Sequence, residues 1–235
     1  MTTPLPTLDE LITVGLPPVA YGILVGVLHA PGVGKALRPI LRWRWVHNLL
    51  LALYSAFVTC AMVAKLRRHN RFASTHALLC TASPGVPVGW WLSKIWEWLD
   101  TAFIVARGRR AVGLHVRHHA TAASVVFVNL MGRAMPSPLF DLGTLCNAAV
   151  HTLMYTYYLA PRSLSQWRKA ITTLQIAQHV VMCGCILGTL SLPPGDCDAP
   201  DLPYSASLMA YTLYAFEFLA FYANNYPPTG HAKVQ

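Results

Sequence analysis

Three imidazoles stand at i, i+3 and i+4 in the stretch His115-Val116-Arg117-His118-His119. That spacing puts them on one face of a helix. Residues 120–131 follow as an apolar run whose strongly polar member is Asn129, so the cluster sits at the mouth of a membrane span. Ionisable groups there are expensive to keep, and function is the default explanation for them. Two chemistries fit these residue types. One is metal ligation; the other is acyl transfer through an imidazole that accepts an acyl group and passes it on.

Other polar groups recur at helical spacing on neighbouring apolar stretches. Lys94, Glu97, Asp100 and Thr101 form one set, and Asn147, His151, Met154, Tyr155, Tyr157 and Tyr158 a second. Thr172, Gln175, Gln178 and His179 form a third. An ionised Asp, Lys or Arg at mid-membrane costs about 2.5–3.5 kcal/mol on insertion scales, so Lys94, Glu97 and Asp100 must pair or face a hydrated cavity. Lys94 and Glu97, at i and i+3, can pair with each other, and a purely structural ion pair stays open as an alternative. Cys60, Cys146, Cys183 and Cys185 lie off the histidine helix, and Cys146 is about 100° round its helix from Asn147, which argues against a cysteine nucleophile.

The elements that must position these groups follow from hydropathy. The chain has 235 residues, 54% hydrophobic and 11% charged, with positive mean hydropathy of +0.42. Soluble domains carry about 25% charged residues, so this is a polytopic membrane protein. With about 20 apolar residues needed per crossing, seven spans are predicted: 11–29, 46–64, 88–106, 114–131, 139–160, 167–190 and 204–222. Together they make a single all-α transmembrane domain over residues 1–235, with residues 1–10 and 223–235 outside the bundle. Pro17-Pro18 is expected to kink the first span, and Gly22 and Gly26 to offer a small-residue packing face. Residues 75–82 are expected to lie in the interface or re-enter. Asp9 and Glu10, with no basic cluster before them, predict no cleavable signal peptide.

The net charge of +9 is read as topology, not as nucleic-acid binding. Eleven Lys and Arg residues fall in the connections after spans one, three, five and seven, against five in the others: Lys65, Arg67, Arg68, Arg71 and Arg133. The bias predicts a cytosolic C-terminus and a non-cytosolic N-terminus. Five spans, the seventh with Glu217, Asn224 and Asn225, then place their polar groups in the cytosolic half, and the far half reads as nearly plain hydrocarbon. A pocket open to the cytosol is the consequence. Arg107, Arg109, Arg110, Arg117, Arg162, Arg168 and Lys169 are expected at its rim.

Taken in order, K94xxE97xxD100T101, H115VRH118H119, N147xxxH151xxM154Y155xY157Y158 and T172xxQ175xxQ178 resemble the motifs of the ELO fatty-acid elongase family of the endoplasmic reticulum. The resemblance covers roughly residues 38–222. It implies a multi-pass protein of the endoplasmic reticulum membrane that condenses a long-chain acyl-CoA with malonyl-CoA, giving a 3-oxoacyl-CoA, carbon dioxide and CoA. It implies no bound cofactor, two CoA thioesters as substrates, and the reductases and dehydratase of the elongation cycle as partners. A homo-oligomer is compatible with it. Two departures are visible: Arg117 stands where the family usually has an aromatic residue, and the chain is short at its ends, with no lysine-rich tail.

On this reading His118 carries the acyl group and His151 is its partner or base, while His115 and His119 orient them. The substrate-binding set is Lys94, Glu97, Asp100, Thr101, Asn147, Tyr155, Gln175, Gln178 and Arg117. The alternative in which His118 is a general base for a direct ternary reaction stays open. Tyr157 and Tyr158 are expected in an interfacial aromatic belt. His29, His47, His69, His76 and His231 receive no role. Cys80 and Cys197 fall in the two connections assigned to the lumen and are expected to form a disulfide there. A histidine-ligated di-iron desaturase or hydroxylase is the rival enzyme, although the five span histidines are few for such a site and Glu97 or Asp100 would have to complete it. A lipid-binding or transport protein is the non-enzymatic alternative.

Overall fold

Helix α1 (Leu8–Leu28) runs through both Pro17 and Pro18. Pro18 has no N–H to give to the carbonyl of Val14, one turn back. That acceptor is satisfied from another helix, by the Ser124 hydroxyl at 2.6 Å. The prolines thus pin α1 to α7 (Gly113–Val128), its main packing partner. Gly22 and Gly26 have nothing within 4 Å of where a side chain would begin. The expected small-residue packing face is therefore unused, because the buried face of α1 is the one carrying Tyr21 and Leu28.

The computed structural model describes residues 8–81, 88–129, 138–193, 196–197 and 201–227, and they contain helices and no strand. After α1 come a short α2 (Val33–Ala36), a 3₁₀ turn (Arg38–Trp43) and α3 (Arg44–Arg68). A second 3₁₀ turn (Arg71–Ala73) leads into α4 (Thr75–Cys80). Then follow α5 (Val88–Trp96), α6 (Leu99–Ala106), α7, α8 (Pro138–Leu159), α9 (Trp167–Leu190) and α10 (Asp201–Asn225). Helix α3 packs chiefly on α8, and α9 on α10. The stretches Arg38–Arg68, Trp167–Leu190 and Tyr204–Asn225 are long and apolar enough to cross a membrane. Their outward faces carry large apolar side chains such as Phe57, Val181 and Phe216.

The third expected span is not one continuous helix. It breaks between α5 and α6, where Trp98, Asp100 and Thr101 donate their N–H groups three residues back, to Ile95, Glu97 and Trp98. Each of those bonds closes a 3₁₀-type turn, so the chain tightens as it passes from α5 to α6. The end of the expected fourth span, Met131, lies outside the described residues, as do His231 and Ala82.

The half of the bundle expected to be hydrocarbon is not. Asp141 on α8 is fully buried and accepts from Lys65 Nζ at 2.8 Å. Arg71, also fully buried, stands 3.7 Å from the other Asp141 oxygen and donates to the carbonyls of Ala77, Leu78 and Pro138. Lys65 and Arg71, two of the cations assigned to the connection after span two, are thus structural latches that share one buried carboxylate. Asn129 Nδ2 donates to Ser207 Oγ at 2.9 Å in the same half. Cys80 and Cys197 form a disulfide, with Cα atoms 4.5 Å apart. His76 Nε2 bonds the Asp196 carbonyl at 2.9 Å beside it.

Candidate active site

The 3₁₀ turn between α5 and α6 builds the floor of the site. Lys94 Nζ donates to Glu97 Oε1 at 2.8 Å and to Asn147 Oδ1 at 3.0 Å, and lies 3.9 Å from the centre of the Trp90 ring. His151 Nδ1 stands 3.4 Å from the same Glu97 oxygen. All four polar residues except Asn147 are buried to within a few per cent. The i, i+3 pair expected from spacing is present, and the structure adds Asn147 and His151 to it from the facing helix. A buried ion pair survives only when its remaining valences are satisfied, and Asn147 accepts one of the Lys94 protons.

One turn on, Thr101 is fully buried between two partners. Its hydroxyl bonds Tyr21 Oη at 2.7 Å and His115 Nε2 at 2.9 Å. Trp98 Nε1 donates to the backbone carbonyl of His119 at 3.1 Å. Two adjoining turns of chain therefore clamp the histidine helix. The rings of His115 and His119 lie 4.2 Å apart, and His118 meets His119 edge-on at 5.6 Å. Among the described residues no three His, Cys, Asp or Glu side chains converge as a metal set.

Asp100 is held by two donors. Tyr155 Oη donates to Oδ2 at 2.7 Å, and His47 Nε2 bonds Oδ1 at 3.0 Å. Trp96 Nε1 donates to His47 Nδ1 at 3.1 Å, so Nδ1 is the acceptor and Nε2 carries the proton given to Asp100. A neutral imidazole serves both bonds. His47, which had no expected role, thus supports the site through Asp100. The signal was there, in two adjacent buried polar residues, His47 and Asn48, within an apolar span.

Part of this network lines a cavity of about 520 Å³; Lys94, Thr101, Asn147, Tyr155 and His47 are not among its lining residues. Glu97, Asp100, His115, His118, His119 and His151 share its inner wall with Met154, Thr172 and Gln175. Tyr157 and Tyr158, expected in an interfacial belt, line it too, and their ring-to-ring contact continues the aromatic row from Tyr155. Arg44, Arg107, Arg109, Arg110 and Arg168 ring the mouth. Arg162, Lys169 and Arg117 do not. Arg117 instead pairs with Glu217 of α10, with its own side chain 58% exposed. Because i and i+1 point about 100° apart on a helix, Arg117 cannot share the direction of His118.

His118 also forms part of a second, deeper cavity of about 60 Å³, with Lys94, Asn147, Gln178 and His179. Tyr214 packs on His118 at 4.7 Å between ring centres, and His179 lies 5.4 Å from Tyr214 and 5.7 Å from Tyr211. Tyr211, Tyr214 and Phe218 were missed by residue-type reasoning. Their i, i+3, i+7 spacing was the available signal, since it gives α10 one aromatic face. Sequence reasoning also missed Trp90 and Arg44, single residues with no pattern around them.

Residues 12–234 match the GNS1/SUR4 family (ELO). Putative fatty acid elongase 1 of Schizosaccharomyces pombe is 30% identical over 159 residues, which is 62% of this chain and 46% of that protein. Fatty acid elongase A of Dictyostelium discoideum is 30% identical over 147 residues, 57% of this chain and 51% of its own length. Fatty acid elongase 1 of Trypanosoma brucei brucei is 28% identical over 236 residues, reaching 92% of this chain and 75% of that protein. The chain spans about half the length of the first two.

Proposed function

The chain belongs to the GNS1/SUR4 family (ELO), and on that footing we propose that it is the condensing enzyme of fatty-acid elongation. It joins a fatty acyl-CoA to malonyl-CoA, giving a 3-oxoacyl-CoA, carbon dioxide and free CoA. One observation carries this reading: four histidines and Glu97 line the inner wall of a cavity whose mouth is ringed by five arginines, and Lys94 and Asn147, bonded to each other and to Glu97 through Lys94, line the deeper cavity that His118 shares with it. An arginine mouth suits the phosphate groups of CoA, and an imidazole wall suits acyl transfer.

A nitrogen of His118 attacks the thioester carbonyl and forms the acyl-imidazole. The C–S bond breaks, and the imidazole proton leaves with the thiolate as free CoA. Malonyl-CoA then enters the vacated cavity and loses carbon dioxide. The carbanion so formed attacks the acyl carbonyl, the C–N bond to His118 breaks, and the imidazole recovers a proton from water at the mouth. His151 and Asn147 stand ready to donate to the oxyanion of each step. Lys94 and Glu97 set the position of both.

We read α1, α3, α5 with α6, α7, α8, α9 and α10 as seven crossings of the endoplasmic reticulum membrane, with the mouth toward the cytosol. Two features support this orientation. The disulfide of Cys80 and Cys197 lies at the opposite end of the bundle from the arginine mouth, which suits an oxidising lumen. Lys65 and Arg71, which opposed the charge bias, share the buried Asp141 carboxylate, so one of their two charges is compensated. The 3-oxoacyl product must then pass to reductases and a dehydratase of the same cycle.

The test is incorporation of radiolabelled malonyl carbon by the purified protein, with and without chelator. Condensation that survives chelation and falls at least a hundredfold in His118→Ala is the expected result. Stoichiometric iron with activity lost on chelation, or wild-type condensation by His118→Ala, overturns the mechanism.

A further inference from the structure

Three cavities lie in series along the axes of α7 to α10. The first, at the mouth, ends at His118. The second begins at His118 and runs past Asn147 and His179 to Gly143, Met182 and Tyr211. A third, of about 20 Å³, continues beyond Met182 and Tyr211 to Ile186, Tyr204 and Ser207. Asn129, Phe140, Met182 and Tyr211 belong to the walls of both inner cavities, so they form the neck between them.

At that neck the Tyr211 hydroxyl sits on the backbone of α8. A Cβ at Gly143 would stand 2.7 Å from the hydroxyl oxygen and 3.4 Å from Met182 Cε. A larger residue there would have to displace the phenol. Glycine inside a helix costs about 0.5–1 kcal/mol relative to alanine, and here its close approach to the tyrosine accounts for it. The ring is also fixed on its other side by His179, 5.7 Å away. From Tyr214, which packs on His118, to Tyr211 is three residues, about 4.5 Å along the helix. The neck is therefore close to the reacting group, near mid-bundle.

Resting on the elongase reading, we propose that Tyr211, seated on Gly143 and backed by Met182, closes the acyl chamber and sets the longest acyl chain the enzyme extends. An acyl group held at His118 points its tail into the second cavity and stops at the phenol. A wall is required for a sharp limit, because each buried methylene adds only about fourfold to affinity and gives no cut-off by itself.

The experiment measures kcat/KM for a series of acyl-CoAs, from octanoyl to stearoyl, with the full chain in membranes. Tyr211→Ala joins the two inner cavities and is expected to raise turnover of acyl-CoAs beyond the wild-type limit at least tenfold relative to those below it. Tyr211→Phe keeps the ring and keeps the limit. Gly143→Leu in the Tyr211→Ala background refills the neck and restores the limit. If Tyr211→Ala is inactive throughout, Met182→Ala widens the same neck from α9 and carries the same expectation. An unchanged limit in whichever of these opened variants is active overturns the gate while leaving the elongase reading intact. A wild-type chain inert toward every acyl-CoA sinks the elongase reading, and the gate with it.

Discussion

Asp100 takes its two donors from side chains far apart in sequence, the His47 imidazole and the Tyr155 phenol. Removing one of them leaves a carboxylate oxygen short of a partner, which costs about 1–3 kcal/mol where water cannot replace it. His47→Phe is therefore expected to lower stability in detergent by roughly that amount. It should also slow condensation, because Tyr155, which meets His151 edge-on at 5.7 Å, loses its fixed acceptor. His47→Gln keeps an N–H donor near the Nε2 position and is expected to recover most of both losses. Thermal unfolding and the malonyl-incorporation rate of the two variants check this. Equal damage from both would show that the ring's packing on Phe103, and not its hydrogen bond, is what matters.

The helices are held at the far end by two devices that do not touch the reaction. Asp141 joins α3, the turn at Arg71 and α8 through Lys65 and Arg71. Asp141→Leu leaves those cations without their carboxylate, and breaking a buried pair from one side costs about 3–5 kcal/mol. The expected outcome is a large drop in unfolding temperature and poor recovery from membranes. The disulfide joins α4 to the segment after α9, across a sequence separation of 117 residues. Replacing Cys80 and Cys197 by serine is expected to lower stability by about 2–4 kcal/mol. Reductant should bring the wild type down to the same level and leave the double variant unmoved, as read by unfolding in detergent. A wild type indifferent to reductant would show the bridge to be energetically idle.

At the scale of the whole molecule, five arginines from distant parts of the chain meet at one end of the bundle. Arg44, Arg107, Arg109, Arg110 and Arg168 gather at the mouth from α3, the connection between α6 and α7, and α9. Their field raises the local concentration of an anionic thioester and is screened over about 8 Å at physiological salt. Raising ionic strength from about 0.05 to 0.5 M is thus expected to raise KM for the acyl-CoA several-fold with little change in kcat. Arg110→Ala and Arg168→Ala should each move KM the same way and flatten the salt response. Steady-state kinetics at two salt concentrations read this directly, and a salt effect confined to kcat would place the arginines in some other role.

Much of the site was legible because membrane chemistry makes polar residues conspicuous. His115, His118 and His119, the Lys94–Glu97 pair, and Asn147 with His151 and Tyr155 stood out as costly groups at helical spacing in apolar stretches. The order of those motifs was enough to give the family, and the family match spans residues 12–234. Periodicity could say which residues share a face of one helix, but not which faces of different helices meet. So the sequence could not tell that His47 bonds Asp100, that Arg117 turns to Glu217, or that Tyr157 and Tyr158 line the cavity. Nor could it see the 3₁₀ turn that breaks the third span between α5 and α6, which rests on three backbone bonds no residue type announces. The residue types determined that imidazoles, a buried ion pair and amide donors would sit in a membrane bundle. Only the tertiary structure decided where the chamber ends, because a Tyr211 hydroxyl against Gly143 is a contact between helices, set by their packing.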